Sequence, residues 1–61
     1  MKLEFKWLNK YPDYEIHDDE DFCYIYHKGK IIETYSNKSS HLTQDFLKKK
    51  INKLERIAKN E

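Results

Sequence analysis

The sequence predicts an α+β domain, in which a small antiparallel β-sheet of two to three strands packs with one C-terminal α-helix. Two observations lead to this prediction. Two strand-like runs flank a turn over residues 22–36, and apolar residues recur with the helical period over about residues 43–59. A chain of 61 residues has room for a single domain, which would span residues 1–61.

Residues 22–36 are predicted to form a β-hairpin. Lys28-Gly29 separates two strand-like runs, and Gly29 supplies the positive φ angle that a two-residue turn requires. The resulting register gives three pairs whose side chains share one face: Tyr26–Ile31, Tyr24–Glu33 and Phe22–Tyr35. The opposite face would carry Cys23, Ile25, Ile32 and Thr34.

The C-terminal helix is predicted from its apolar stripe and from its first turn. Thr43 is a favourable N-cap, and the charge of Asp45 suits the positive end of the helix dipole. Leu42 and Leu47 have the spacing of a hydrophobic staple. The stripe consists of Leu42, Phe46, Leu47, Ile51, Leu54, Ile57 and Ala58.

The N-terminal residues fit two structures. Leu3, Phe5 and Trp7 alternate with charged residues as in a strand, whereas residues 3–8 also fit one side of a helix. Pro12 ends either element because it lacks a backbone donor. One helix covers one face of the hairpin, so we expect the other face to bind a partner or a second copy, unless Leu3, Phe5 and Trp7 fold back over it.

An acidic run, predicted to be a loop, spans residues 13–21, where six of nine residues are carboxylates. Residues 1–37 carry five Lys against eight acids, a net −3, while residues 38–61 carry seven Lys or Arg against three acids, a net +4. Such a run is usually a solvated segment. Beside the aromatic residues that follow, it also suits a protein that competes with nucleic acid for a cationic cleft.

The sequence predicts neither a catalytic site nor a cofactor. Cys23 fits a strand as a small core residue, and the Cys and His residues lack zinc-site spacing. The acids lack the pattern of a calcium loop, and the single Gly excludes a glycine-rich phosphate loop. We therefore expect a protein without enzymatic activity.

The composition predicts a cytoplasmic protein. Charged residues make up 38% of the chain, which argues against a membrane span, and residues 1–7 do not resemble a signal peptide. A single Cys fits a reducing compartment. The basic residues of the helix also suit nucleic-acid binding, which the acidic run and the net charge of +1 disfavour.

Residues 16–54 resemble the small uracil-DNA glycosylase inhibitor family of protein-primed Bacillus phages. In that family an acidic run precedes the string Tyr-x-Tyr-His-Lys-Gly, which is found here over residues 24–29. The family's helix is echoed by residues 45–48 and 51–54. This chain departs from the family in its net charge of +1 and in Ser36, which stands where the family has an acid.

The resemblance implies a homodimeric DNA mimic that blocks the DNA-binding cleft of uracil-DNA glycosylase in the cytoplasm of a host bacterium. An apolar pocket would capture the loop that the enzyme inserts into DNA, while acids would replace phosphates. Two alternatives stay open: an inhibitor of another target, such as a CRISPR or restriction nuclease, and a nucleic-acid-binding regulatory module that uses the basic C-terminal helix. The predicted partner-binding residues are Tyr35, Tyr24, Tyr26, His27, Asp18, Asp19, Glu20 and Asp21.

Overall fold

In the computed structural model, which describes residues 1–60, four antiparallel strands form one sheet and a helix packs on one of its faces. The α+β prediction is confirmed, with four strands instead of two to three. The predicted domain also includes Glu61, which lies outside the described residues. The elements are β1 (Lys2–Leu3), a 3₁₀ helix (Lys6–Lys10), β2 (Tyr14–Asp18), β3 (Phe22–His27), β4 (Lys30–Ser36) and α1 (Gln44–Lys59), and the strand order is β1-β2-β3-β4.

The N-terminal segment combines the two structures that its sequence allows. Leu3 pairs with Ile16 in an antiparallel β1–β2 ladder, and the chain then turns into the 3₁₀ helix. The rings of Phe5 and Trp7 stack 5.3 Å apart, and the Trp7 indole N–H donates to the Gln44 side-chain oxygen at 3.0 Å. Because these residues pack against the core beneath the helix, they do not cover the other face of the sheet.

Part of the predicted acidic loop is strand β2, so the loop prediction is wrong for residues 14–18. Tyr14 and Ile16 are buried in the core, while Glu15 and His17 alternate with them. Two apolar residues among so many charges leave the strand period hard to recognise in the sequence. The acidic residues Asp19, Glu20 and Asp21 alone connect β2 to β3.

The β3–β4 hairpin has the predicted two-residue turn. Lys28 and Gly29 both adopt positive φ angles, 51° and 82°, which is the geometry of a type I′ turn. The pair Tyr26–Ile31, the second from the turn, is also as predicted. The hairpin signal at Lys28-Gly29 is therefore confirmed.

A β-bulge at Ile32 overturns the rest of the predicted register. Ile25 pairs with Glu33 while Tyr26 pairs with Ile31, so Ile32 is an extra residue in β4. Beyond the bulge the observed pairs are Cys23–Tyr35, Tyr24–Thr34 and Phe22–Ser36, and the predicted pairs Tyr24–Glu33 and Phe22–Tyr35 are wrong.

Relative to the predicted register, the bulge moves each residue of β4 after Ile32 to the opposite face of the sheet. Glu33 and Tyr35 share a face with the buried residues of β3, where Glu33 forms an ion pair of 3.5 Å with Lys50 of α1. Thr34 points to the opposite face, contrary to the prediction that grouped it with Cys23. Tyr35 is therefore separated from Tyr24 by the thickness of the sheet.

Helix α1 begins as predicted. The Thr43 hydroxyl accepts a hydrogen bond of 3.1 Å from the Phe46 N–H, and Asp45 lies in the first turn. Leu47 and Ile51 are buried against the sheet, and Cys23 is the predicted small core residue. The buried core consists of Leu8, Tyr14, Ile16, Cys23, Ile25, Leu47 and Ile51.

No helix among residues 1–60 is both long enough and apolar enough to span a lipid bilayer.

Candidate functional site

One face of the sheet is left uncovered by α1 and by the 3₁₀ helix, and we call it the open face. Ile16 and Ile25 are fully buried on the side that packs with α1. Because side chains alternate along a strand, their neighbours point to the opposite side. The strand register therefore assigns to the open face Lys2, Glu15, His17, Phe22, Tyr24, Tyr26, Ile31, Thr34 and Ser36.

A row of rings crosses the open face. Phe22 and Tyr24 lie on β3 with ring centroids 6.3 Å apart, and Tyr26 continues the row with its ring 4.6 Å from that of His17 on β2. Phe22 is 45% exposed, while Tyr24 and Tyr26 are half-buried by their neighbours. Aromatic side chains in such a setting present large contact area at low entropic cost.

A small charge cluster lies at the β1–β2 side of the row. The Glu15 carboxylate accepts a hydrogen bond of 2.9 Å from His17 Nε2 and lies 3.6 Å from Lys2 Nζ. The hydrogen bond to His17, followed by the Lys2 charge, lowers the pKa of Glu15. Glu15 is therefore ionised and locally neutralised at neutral pH.

The turn between β2 and β3 is organised by Asp19. Its Oδ1 atom accepts hydrogen bonds from the backbone N–H groups of Asp21 at 2.8 Å and Phe22 at 2.7 Å, and these bonds lower the pKa of Asp19. Its Oδ2 atom accepts a hydrogen bond of 3.1 Å from the Tyr24 hydroxyl. Asn37 donates from its side chain to the Asp19 carbonyl oxygen and from its backbone to Asp21, which ties this turn to the end of β4.

The other three acids of the predicted site differ from Asp19. Asp18 pairs with Cys23, so its side chain belongs to the helix-facing side, 3.9 Å from the N-terminal ammonium group. Glu20 and Asp21 are exposed, and their carboxylates have no hydrogen-bond or ion-pair partner within residues 1–60. These two carboxylates are available to a partner at the end of the aromatic row.

The predicted site residues therefore do not form one surface. Tyr24 and Tyr26 lie on the open face, with residues 19–21 at its end. His27 lies on the helix-facing side, where its ring stacks 4.4 Å from that of Tyr14. Phe22 and His17 belong to the row although neither is among the predicted partner-binding residues; the predicted hairpin had already grouped Phe22 with Tyr24 on one face. The alternation of Phe22 with Tyr24 was the signal for the first, and the unrecognised strand β2 hid the second.

Tyr35 packs against the helix and borders a groove instead of the aromatic row. Its ring meets that of Phe46 edge-on at 5.3 Å, and burial, followed by the Glu33 charge, raises its pKa. The Tyr35 hydroxyl is buried without a hydrogen-bond partner in the described chain. Beside it lies a groove of about 320 Å³ lined by Thr34, Tyr35, Ser36, Ser39, His41, Leu42 and Phe46.

The remaining reactive groups are placed for structure. Cys23 is buried, and burial raises its pKa, which keeps it a thiol instead of the nucleophilic thiolate.

A cleft of about 590 Å³ between the N-terminal segment and β2 has Leu8 and Tyr14 among its lining residues. Within residues 1–60, no group of three or more His, Cys, Asp or Glu side chains is arranged to hold a metal ion.

The two charge signs occupy different parts of the molecule. Lys48, Lys53 and Arg56 are exposed on α1, and they have no ion-pair partner among residues 1–60. The free carboxylates of Glu20 and Asp21 lie at the β2–β3 turn, at the end of the open face. An anionic partner is therefore attracted to α1, whereas a cationic partner is attracted to the β2–β3 turn.

Protein-family models, curated proteins and solved structures were compared with this chain, and none of them matches it.

Proposed function

We propose that this protein is an inhibitor that occupies the DNA-binding surface of a DNA-processing enzyme, most specifically uracil-DNA glycosylase. The observation that supports the proposal best is the open face, where Phe22, Tyr24 and Tyr26 form an uncovered row that ends at Glu20 and Asp21. The proposal places the protein in the cytoplasm of a host bacterium and requires no cofactor.

The open face has the chemistry of a protein-binding surface. Tyr side chains are enriched at energetically important contacts, and Tyr24 and Tyr26 lie near the middle of the face. The surrounding groups are polar or locally neutralised, as the pairing of Glu15 with Lys2 and His17 illustrates. A central aromatic contact with a polar rim is typical of specific interfaces.

The charge distribution would orient the encounter with such an enzyme. A DNA-binding cleft is cationic, so it attracts the side of the inhibitor that carries the free carboxylates and repels the helix that carries Lys48 and Arg56. The net charge of +1 makes long-range attraction weak. We therefore assign most of the affinity to the aromatic contact and the orientation to the acids.

A second copy of the chain is part of the proposal. Strand β4 is at the edge of the sheet, and its Ile31 and Ile32 are 51% and 39% exposed. Such an edge offers unpaired backbone groups to another strand. A dimer in sedimentation velocity at micromolar concentration is the expected result, and a monomer at all concentrations would remove this part.

The test is a uracil-excision assay with purified enzyme and a titration of the inhibitor. We expect excision to stop near stoichiometric inhibitor, Tyr24→Ala to weaken inhibition, and Lys48→Ala on the helix to serve as the matched control that inhibits normally. Unchanged excision in the presence of excess protein would contradict the specific target. A pull-down from bacterial lysate would then distinguish a CRISPR or restriction nuclease.

A nucleic-acid-binding module is the second candidate, supported by the unpaired Lys48, Lys53 and Arg56 on α1. It predicts a gel shift with DNA or RNA that weakens steeply as salt increases, because released counterions drive such binding. Lys48→Ala would then weaken the shift and Tyr24→Ala would leave it unchanged. Absence of a shift at low salt would remove this candidate.

A further inference from the structure

The four acids at positions 18–21 have unequal surroundings, which the sequence does not reveal. Asp19 accepts three hydrogen bonds, two from backbone N–H groups and one from the Tyr24 hydroxyl. Glu20 and Asp21 have free carboxylates among the described residues. Three of the roughly four acceptor positions of the Asp19 carboxylate are thus occupied by groups of the protein itself, whereas those of Glu20 and Asp21 remain available to a partner.

The hydrogen bond from the Tyr24 hydroxyl joins Asp19 to an aromatic residue of the open face. A surface tyrosine ordinarily samples several rotamers, and ordering it on binding costs free energy. In this protein the Tyr24 hydroxyl is held at 3.1 Å by Asp19 Oδ2, and the ring lies 6.3 Å from that of Phe22. The turn that carries Asp19 is itself tied to β4 by the two hydrogen bonds of Asn37.

We propose that Asp19 is a positioning residue, which holds the ring of Tyr24 in its partner-binding orientation and leaves the contact with the partner's cations to Glu20 and Asp21. This inference rests on the proposed function, because it assigns different roles to the residues of the proposed binding surface. It changes the role of Asp19 from a phosphate-like charge to a support for an aromatic contact.

The first test uses the protein alone. Asp19→Asn keeps a side-chain oxygen for the two backbone N–H groups but removes the acceptor for the Tyr24 hydroxyl. Burial, followed by the hydrogen bond to Asp19, raises the pKa of Tyr24. We therefore expect the Tyr24 pKa, followed by NMR, to fall in Asp19→Asn and to stay unchanged in the control Glu20→Gln. An unchanged Tyr24 titration in Asp19→Asn would overturn the positioning role.

The second test measures association and dissociation rates with the target enzyme at two salt concentrations. Asp19→Asn should speed dissociation roughly tenfold at both, because a less ordered ring binds less well. Glu20→Gln and Asp21→Asn should slow association at low salt only, since salt screens exposed charges. Tyr24→Phe should reproduce the dissociation effect, with no further loss in the double variant.

The outcomes separate the two proposals. If Asp19→Asn slows association in the salt-dependent manner of Glu20→Gln, Asp19 is a charge contact and the positioning role is wrong. If the wild-type protein does not bind the enzyme at all, the proposed function and the binding role of Tyr24 both fail. The Tyr24 titration still decides in that case whether the Asp19 carboxylate acts on the Tyr24 hydroxyl.

Discussion

The two faces of the sheet differ in what their side chains contact. On the helix-facing side, Ile16 and Ile25 are fully buried against α1 and the 3₁₀ helix. On the open face, Phe22, Tyr24 and Tyr26 form a row that no element of residues 1–60 covers. The comparison teaches that aromatic content alone does not locate a core, because the central aliphatic residues of β2 and β3 are buried while the aromatic row stays uncovered.

Truncation of the helix-facing core should have the largest effect. Ile51 is fully buried in α1, so Ile51→Ala should lower the free energy of unfolding by about 3 kcal/mol. A domain of this size has only a few kcal/mol of stability, so the variant should be largely unfolded at 37 °C. Urea unfolding followed by circular dichroism measures this. A change below about 0.5 kcal/mol would contradict the assigned core.

Truncation of a side chain on the open face should affect binding more than stability. Phe22→Ser should weaken binding to the proposed target enzyme roughly tenfold, because the proposal makes this exposed ring of the aromatic row a direct contact. Its stability should change much less than that of Ile51→Ala, since Phe22 is 45% exposed. Inhibition titrations and urea unfolding on the same preparation measure both effects. A large loss of stability with normal inhibition would reverse the assignment of the two faces.

Tyr35 is an aromatic residue of the helix-facing side, so its substitution should change stability and not inhibition. Tyr35→Phe removes a buried hydroxyl that lacks a hydrogen-bond partner in the described chain, so the free energy of unfolding should rise by roughly 1 kcal/mol. Inhibition should stay unchanged. Weakened inhibition by Tyr35→Phe, with stability retained, would instead place a partner contact at the groove beside Tyr35.

The smallest expected effect is on the pH dependence of the free energy of unfolding. Burial is the main cause that raises the pKa of Tyr14 and of Tyr35 above that of an unfolded tyrosine, near 10. Their contribution to stability is complete below pH of about 10 and is lost as pH rises through the folded-state values, because the unfolded chain releases these protons first. Urea unfolding between pH 8 and 11 should show a shallower loss in Tyr35→Phe. Identical slopes would contradict the burial of Tyr35.

Local chemistry made much of the fold predictable. The Thr43 cap and the Lys28-Gly29 turn each depend on a few neighbouring residues, and both are present as predicted. The bulge at Ile32 depends instead on how β4 fits its partner strand and the helix, and no residue in β4 signals it. For that reason the predicted register paired Tyr35 with Phe22, on the face of Tyr24, whereas Tyr35 pairs with Cys23 on the helix-facing side.

The candidate site was predictable only in part. The string that contains Tyr24 and Tyr26 drew attention to β3, and both residues lie on the open face. The acidic run looked uniform in the sequence, although Asp19 is engaged in three hydrogen bonds and Glu20 in none among residues 1–60. Such differences arise from the turn geometry, which composition does not encode.

The tyrosines provide the most direct test of the assignment of the open face to partner binding. The protein contains five, of which Tyr24 and Tyr26 lie on the open face and Tyr14 and Tyr35 on the helix-facing side. Ring-labelled tyrosine NMR spectra should be recorded before and after addition of stoichiometric uracil-DNA glycosylase. We expect the signals of Tyr24 and Tyr26 to shift and those of Tyr14 and Tyr35 to stay in place. Shifts confined to Tyr35, or a complex in which no open-face tyrosine changes, would contradict the account.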